Sequence, residues 1–281
     1  MTRVMVTGAA GQLGSAIVAR LSATCDVAGY TRSDLDLADA RRVLETVTDC
    51  GPAVIVNCAA YNDVEAAEDA AQAALSGNAL AVQALARAAA ATGATLIHYG
   101  TDFVFDGTAD RPYVETDKCR PLSTYGLSKL LGEWFALEAP HAYVLRVESL
   151  FGGHPAKSSI DKIVAAIHAG QPVRVFADRT VTPSFVDDVA AATEQLMAIR
   201  PEPGIYHCVN SGETTWLGVA EEIARLLRRD AQLITVKSTD VKLKARRPVY
   251  CALSNDKLTV AGIAMPTWQD ALERHVKVDS R

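Results

Sequence analysis

The first fourteen residues restrict the fold more than any other part of the chain. Residues 3–7 form a mostly apolar run that is typical of a buried strand, and Gly8, Gly11 and Gly14 follow at the start of a helix-periodic segment. Gly8 permits a tight turn, Gly11 lets a pyrophosphate approach the backbone, and Gly14 lets the helix pack closely on the strand. This spacing predicts a dinucleotide site at the helix N-terminus, where phosphates bind. A turn with a purely structural role is the alternative.

Strands and helices alternate along the first half of the chain. The further runs that predict strands are residues 27–30, 53–57, 95–99 and 142–146. The main helical segments between them are residues 70–92 and 125–136. The run at 53–57 is almost continuously β-branched, as expected for a parallel strand covered on both faces. We therefore expect an α/β fold with a Rossmann-type doubly wound parallel sheet.

The end of the second predicted strand indicates which dinucleotide binds. NAD-binding proteins usually place an acidic residue there for the adenosine ribose, whereas this chain has Arg32. A guanidinium can bind a 2′-phosphate, which favours NADPH and leaves NADH possible. An exposed loop without a ligand is the alternative. We expect Asp36 to accept a hydrogen bond from the adenine amino group and Leu37 to lie beside it.

From Gly152 onward the alternation loosens, although no repeat or low-complexity linker interrupts the chain. We expect an NADP-binding Rossmann domain over residues 1–151 and a smaller C-terminal lobe over residues 152–281 that mainly binds substrate. A strand near residues 204–209 is expected to return to the Rossmann sheet. The substrate would then lie between the two parts.

Tyr125 and Lys129 stand four residues apart in a predicted helix, so their side chains share one face. Because a positive charge stabilises a phenolate, we expect Lys129 to lower the pKa of Tyr125 and ease proton donation near neutral pH. Thr101 and Asp102 follow the strand at 95–99, at the sheet edge where ligands bind. Thr101 can hydrogen-bond a substrate carbonyl oxygen or simply cap its loop. Tyr125 and Lys129 alone would fit an ordinary amphipathic helix. Together with the glycine turn, they favour carbonyl reduction.

Composition excludes several other classes of protein. The net charge of -5 argues against a nucleic-acid partner, and no apolar run approaches the ~18 residues of a membrane span. The N-terminus enters a strand directly, without a charged leader and apolar signal region, so we expect a cytoplasmic protein. The six cysteines lack C-x-x-C spacing, which predicts reduced thiols and no structural metal.

Eight segments carry a family resemblance. In the first half they are residues 7–14, 56–61, 100–107 and 125–133, and in the second half residues 182–188, 204–207, 211–216 and 245–248. These segments resemble the dTDP-4-dehydrorhamnose reductases, a branch of the extended short-chain dehydrogenase/reductases, and the resemblance covers nearly the whole chain. It implies NADPH-dependent reduction of the 4-keto group of a dTDP-4-keto-6-deoxy sugar, most directly dTDP-4-dehydro-L-rhamnose to dTDP-L-rhamnose.

The resemblance also implies roles for individual residues. The catalytic group would be Thr101, Tyr125 and Lys129. Cofactor contacts would come from Gly8, Gly11, Gln12, Leu13, Gly14, Arg32, Asp36, Leu37, Cys58, Ala59, Ala60, Tyr61, Tyr99, Tyr125 and Lys129. Substrate contacts would come from Asn62, Thr101, Asp102, Phe103, Ser149, Arg246 and Arg247. The two arginines are candidates for the diphosphate, with solvated surface charge as the alternative.

Three positions depart from the family's pattern. Ser149 replaces an aromatic residue that commonly faces the sugar, Asn62 replaces a threonine, and Gly100 replaces a serine before Thr101. The first two alter the expected pocket, so a reductase of another nucleotide 4-ketodeoxysugar stays open. The resemblance extends also to a non-catalytic, NADP-binding regulatory subunit of methionine adenosyltransferase. The expected partner is a nucleotide sugar, with a homodimer as a further possibility.

Overall fold

Six parallel strands form the central sheet in the computed structural model, which describes residues 1–279. These strands are β1 (Arg3–Thr7), β2 (Asp26–Tyr30), β3 (Val54–Asn57), β4 (Thr95–Thr101), β5 (Ala142–Val147) and β10 (Gly204–His207). Their spatial order is β10-β5-β4-β3-β1-β2. The order reverses direction at β1 and β3, and ligands bind at such a switch point in doubly wound sheets. The predicted fold class is confirmed.

Short strands outside this sheet form three two-stranded pairs. They are β6 (Leu150–Phe151), β7 (Val173–Phe176), β8 (Thr180–Val181), β9 (Ser184–Phe185), β11 (Thr214–Thr215) and β12 (Leu233–Val236). The helices are α1 (Gln12–Leu21), α2 (Ala40–Cys50), α3 (Val64–Ala67), α4 (Ala71–Leu75), α5 (Ala81–Thr92), α6 (Thr124–Ala136), α7 (Ser159–His168), α8 (Val186–Ile199), α9 (Trp216–Leu227), α10 (Asp256–Val260) and α11 (Trp268–Asp279).

Both faces of the sheet are buried because neighbouring residues along each strand point to opposite sides. Val4 and Val6 pack in a cluster with α1 and α8, whereas Met5 packs on the other face with α2 and α5. All three side chains have no exposed surface. Removing apolar surface of this kind from water contributes roughly 25 cal/mol per Å².

A separate apolar cluster lies in the second half of the chain. It joins α7, α9 and α11 around Phe151, Val173 and Trp268. The strand Gly204–His207 lies beside β5 in the central sheet, so the chain returns to the first part before reaching α9. The division of the chain at residue 151 stays a prediction.

The predicted helix at residues 70–92 is interrupted. A π-helical turn, Ser76–Leu80, separates α4 from α5. Within it, buried Asn78 bonds both backbone groups of Tyr61 and the Ser128 hydroxyl of α6. A Cβ atom at Gly132 of α6 would lie 2.0 Å from the Asn78 carbonyl oxygen. The bulge thus fits a polar tertiary contact that helical periodicity does not encode.

The expectations about membrane spans and cysteines can be compared with the structure of residues 1–279. Within this range no helix is both long and apolar enough to cross a membrane. All six cysteines are free thiols, as the sequence predicts.

Candidate active site

The glycine turn after β1 is packed too closely to accept side chains. Gly8 has φ +70°, and a Cβ atom there would lie 2.7 Å from the Ala59 nitrogen. A Cβ atom on Gly14 would lie 2.1 Å from the Gly8 carbonyl oxygen. Gly11, the N-cap of α1, donates its N–H to that same oxygen at 2.9 Å and carries no side chain of its own. The turn is therefore a backbone cradle at a helix N-terminus, a geometry that suits phosphate.

Two residues beside this turn make contacts within the protein. The Gln12 amide donates to the Gly152 carbonyl oxygen at 2.7 Å, which ties α1 to the chain after β6. The Leu13 side chain is buried in the sheet core, so its backbone is the part left for a cofactor.

The loop after β2 exposes one cationic side chain, whereas two of its carboxylates accept hydrogen bonds from within the loop. Arg32 is exposed. Asp34 accepts from the backbone and hydroxyl of Thr31 at 2.8 and 2.6 Å, and Asp36 accepts from the Ala38 N–H at 3.0 Å. Both acids therefore hold the loop together, and Asp36 would have to meet adenine in addition to capping Ala38. Leu37 is half-buried in the cluster below the loop.

The end of β3 is fixed by a buried polar network. Asn57 accepts from the Thr7 hydroxyl at 2.7 Å and from the Ala59 N–H at 3.1 Å, and its amide meets His98 Nδ1 at 3.0 Å. These bonds connect the ends of β1 and β3 to His98 in the middle of β4. The backbone of Cys58 and Ala59 lies against Gly8 of the glycine turn, and the close approach of a dinucleotide to these small residues stays a prediction.

Thr101, Tyr125 and Lys129 come together at the carboxyl end of β4. Tyr125 lies in the first turn of α6, whose N-cap Ser123 accepts the Gly126 N–H at 3.2 Å. The three side chains are almost completely buried. The Tyr125 ring packs edge-on against Phe103, with the ring centroids 5.5 Å apart.

Lys129 is held by the backbone of β4. Its ammonium donates to the Tyr99 carbonyl oxygen at 2.6 Å. Burial lowers the Lys129 pKa to about 8, while the Glu133 carboxylate opposes that shift. The Tyr99 ring instead lies in the sheet core, where its hydroxyl meets Thr193 at 2.7 Å. Any contact of Tyr99 with a cofactor would therefore come from its backbone.

The expected lowering of the Tyr125 pKa by Lys129 is wrong for this arrangement. Burial raises the pKa of Tyr125, the Asp102 carboxylate raises it further, and hydrogen bonding with Thr101 opposes both. Desolvation dominates because the buried phenolate would lose its hydration and face a nearby carboxylate. Tyr125 thus holds its proton at neutral pH.

Two buried carboxyl groups, Asp102 and Glu148, lie behind Thr101 and are called the carboxyl pair below. Asp102 accepts from the Thr101 hydroxyl at 3.0 Å, and Glu148 accepts from the Thr182 N–H at 2.5 Å. An oxygen of each carboxyl and the Cys251 sulfur all lie within 4.8 Å of one another. Burial raises the Asp102 pKa to about 6 and the Glu148 pKa well above its ordinary value.

The predicted substrate residues fall into two groups: one lies beside Tyr125 and the carboxyl pair, and the other is exposed on the surface. Phe103 and Asp102 adjoin Tyr125, and Ser149 follows Glu148 with φ +45°. Asn62 lies exposed just before α3. Arg246 is exposed too.

Arg247 is engaged within the protein. It donates to Glu65 of α3 at 2.8 Å, and the same carboxylate also accepts the Lys244 and Ala245 N–H groups. The structure thus ties this segment to α3, close to Asn62. A diphosphate would compete with Glu65 for the Arg247 guanidinium.

Comparison with known proteins decides the family. A sequence model of the RmlD substrate binding domain matches residues 1–280. The chain belongs to this family. A dTDP-4-dehydrorhamnose reductase of Mycobacterium tuberculosis is 36% identical, with 96% of this chain and 91% of the relative covered. A probable dTDP-4,6-dihydroxy-2-methyloxan-3-one 4-ketoreductase of Streptomyces antibioticus is 34% identical, with 96% and 93% covered.

Solved structures agree with this assignment. The crystal structure of dTDP-4-dehydrorhamnose reductase from Bacillus anthracis, in complex with NADP, has a TM-score of 0.94 and 28% identity. The match covers 99% of this chain and 100% of that one. The fold of the described residues is therefore the fold of this family along nearly the whole chain.

Sequence reasoning missed three features of this family member. Asn57 was read as part of a strand, yet its amide orders the sheet edge. Glu133 and Arg146 form a buried ion pair at 2.8 Å, and a Cβ atom at Gly100 would lie 2.2 Å from Glu133 Oε1. Glu148, two residues after the predicted strand at 142–146, belongs to no segment with a predicted role. Its unusual burial for a glutamate could not be read from the sequence.

Proposed function

We propose that the protein catalyses NADPH-dependent reduction of the 4-keto group of a dTDP-4-keto-6-deoxy sugar, most directly dTDP-4-dehydro-L-rhamnose to dTDP-L-rhamnose. The observation that carries the proposal is the convergence of Thr101, Tyr125 and Lys129 at the edge of the sheet that holds the glycine turn. Names of relatives that cover nearly the whole chain support the substrate class. The NADP complex of the Bacillus anthracis relative supports the cofactor.

The residues present fit a dinucleotide. Gly8, Gly11 and Gly14 keep side chains out of the turn at the N-terminus of α1, and exposed Arg32 lies in the loop where a 2′-phosphate would be recognised. The carboxylates of the same loop are already engaged, Asp34 with Thr31 and Asp36 with the Ala38 N–H. When bound, NADPH would supply the hydride. NADH remains a possible second cofactor because Arg32 is the one feature favouring the phosphate.

The protein's own groups would manage the proton. Thr101 would orient the ketone oxygen, and Tyr125, held protonated by burial, would donate its proton to the developing alkoxide. Lys129 would place its positive charge beside the ribose and the phenol. Because these groups are buried and fixed by β4 and α6, they need little reorganisation during the reaction.

A reductase of another nucleotide 4-ketodeoxysugar is the second candidate. Two observations favour it: Ser149 stands where an aromatic wall is expected, and the Streptomyces antibioticus relative is named for a different ketosugar. A serine leaves a wider and more polar pocket, which would admit a sugar of altered shape.

The test is NADPH oxidation against a panel of nucleotide 4-ketosugars, with the C4 configuration of each product determined by NMR. Turnover of dTDP-4-dehydro-L-rhamnose above all others supports the first candidate. Preference for a different sugar supports the second. No turnover with any panel member, together with co-purification of a methionine adenosyltransferase, would support the regulatory-subunit alternative and reject the enzyme.

We also propose that the protein works in the cytoplasm, where free thiols persist; six free cysteines support this location. The absence of a nucleic-acid partner and the formation of a homodimer stay predictions. Light scattering of the purified chain would measure the second.

A further inference from the structure

Glu148 is an ionisable residue at a buried position, where an isolated charge costs much free energy. Its side chain is buried, and its Oε2 atom accepts from both the N–H and the hydroxyl of Thr182. Its other oxygen, Oε1, accepts a single long bond from the Ser149 hydroxyl, at 3.5 Å. Two donors on a single oxygen leave Oε1 as the atom able to carry a proton.

The groups facing the carboxyl pair set its charge. They are Thr101, Tyr125, Ser149, Arg179, Thr182 and Cys251. Burial keeps the Cys251 thiol neutral by raising its pKa, so Arg179 is the one cation among these groups. Two carboxylates against one guanidinium would leave a buried net negative charge, whereas one shared proton makes the group neutral.

The pair also acts on the hydroxyls that would meet the substrate. Asp102 accepts from Thr101 at 3.0 Å and its charge opposes ionisation of Tyr125. A second uncompensated negative charge would hold the Thr101 proton away from a ketone and oppose a developing alkoxide. The geometry thus links the protonation of Glu148 to the reactivity of Tyr125.

We propose that Glu148 and Asp102 share one proton, and that this proton keeps Thr101 and Tyr125 able to donate to the substrate oxygen. Glu148 is then a positioning residue, acting through Asp102. The consequence for turnover rests on the proposed function, whereas the shared proton does not.

The first experiment is infrared difference spectroscopy of the purified protein titrated from acidic to alkaline pH. A protonated carboxyl C=O band should persist at pH 7 in the wild type and be absent from Glu148→Gln, whose amide can donate to Asp102 and accept from Thr182. The band should survive to higher pH in Thr182→Val, because losing a donor to the carboxylate raises the Glu148 pKa. Thr182→Ser keeps the hydroxyl and should titrate like the wild type.

The second experiment is the pH dependence of kcat for the ketosugar that the panel identifies. The alkaline fall should move to higher pH in Glu148→Gln, which cannot gain the extra charge, and in Thr182→Val, but not in Thr182→Ser. A uniform loss of kcat with an unchanged profile would mean that Glu148 is merely structural, which overturns the proposal.

Two spectroscopic outcomes would also overturn it. Absence of the band at pH 7 would show both carboxyls ionised, and a band unchanged in Glu148→Gln would belong to another residue. Stoichiometric divalent metal that disappears in Glu148→Gln would replace the shared proton with a metal centre. If no ketosugar is turned over, the proposed function fails, while the infrared titration still decides whether the proton is shared.

Discussion

The glycine turn after β1 and the carboxyl pair behind Thr101 lie at the carboxyl ends of strands in one sheet, but different chemistry builds them. The turn works by lacking side chains: a single added carbon at Gly14 would meet a carbonyl oxygen at 2.1 Å. The carboxyl pair works through side chains that are stabilised by hydrogen-bond donors from distant segments, among them Thr182. The glycine turn is therefore sensitive to added side-chain volume, and the carboxyl pair is sensitive to changes in charge.

This difference separates binding from chemistry. The turn offers backbone N–H groups whose positions do not depend on pH. The cluster around Tyr125 contains groups whose pKa values burial displaces in opposite directions, lowering that of Lys129 and raising that of Tyr125. Substitutions in the first region should therefore alter affinity and packing, and those in the second should alter turnover and pH dependence.

The largest expected effect is on turnover. Tyr125→Phe should lower kcat by roughly 10²–10⁴-fold, because it removes the proton donor, while NADPH affinity stays nearly unchanged. Stopped-flow turnover and fluorescence titration of NADPH measure the two quantities. Tyr143→Phe is the matched control, since its hydroxyl bonds the Pro201 carbonyl oxygen outside the site. Full activity of Tyr125→Phe would remove this residue from the mechanism.

The next effect concerns charge and pH. In the folded state the Lys129 pKa is about 8, whereas its ordinary value is 10.5. Between pH 8 and pH 10.5 the folded protein therefore binds fewer protons at Lys129 than the unfolded chain does. The free energy of unfolding of the wild type should therefore rise relative to Lys129→Met from about pH 8 to pH 10.5, by up to ~3 kcal/mol. Urea unfolding across this range measures it. Lys162→Met, an exposed substitution, should run parallel to the wild type.

The volume effect should be smaller. Alanine normally stabilises a helix relative to glycine by ~1 kcal/mol, yet Gly14→Ala should destabilise the protein by ~1–3 kcal/mol because its Cβ meets the Gly8 carbonyl oxygen. Gly11→Ala, whose Cβ would lie 3.1 Å from the same atom, should cost less. Thermal unfolding and NADPH titration of both variants measure these effects. A stabilised Gly14→Ala protein would mean that the turn is not closely packed.

The smallest effect tests the edge of the binding region. Arg32→Ala should weaken NADPH binding by about tenfold and barely change NADH binding, because only NADPH carries the 2′-phosphate. Arg41→Ala, an exposed substitution on α2, is the control. Equal losses for both cofactors would reject the role of Arg32.

The sequence alone determined the sheet and the backbone cradle. Strand runs such as residues 53–57 and the spacing of Gly8, Gly11 and Gly14 are local signals, since burial on both faces and tight turns restrict residue type at each position. The spacing of Tyr125 and Lys129 likewise placed both on one face of α6. These signals work because each depends on residues near one another in the chain.

Tertiary structure alone decided the charges. The opposite pKa shifts of Tyr125 and Lys129 follow from burial, and the carboxyl pair brings Asp102 at the end of β4 together with Glu148 after β5 and Thr182 before β9. No local pattern predicts such a meeting, because desolvation depends on what the rest of the chain packs around each group. Periodicity missed the π-helical turn at Asn78 for the same reason: its contacts are with Tyr61 and Ser128.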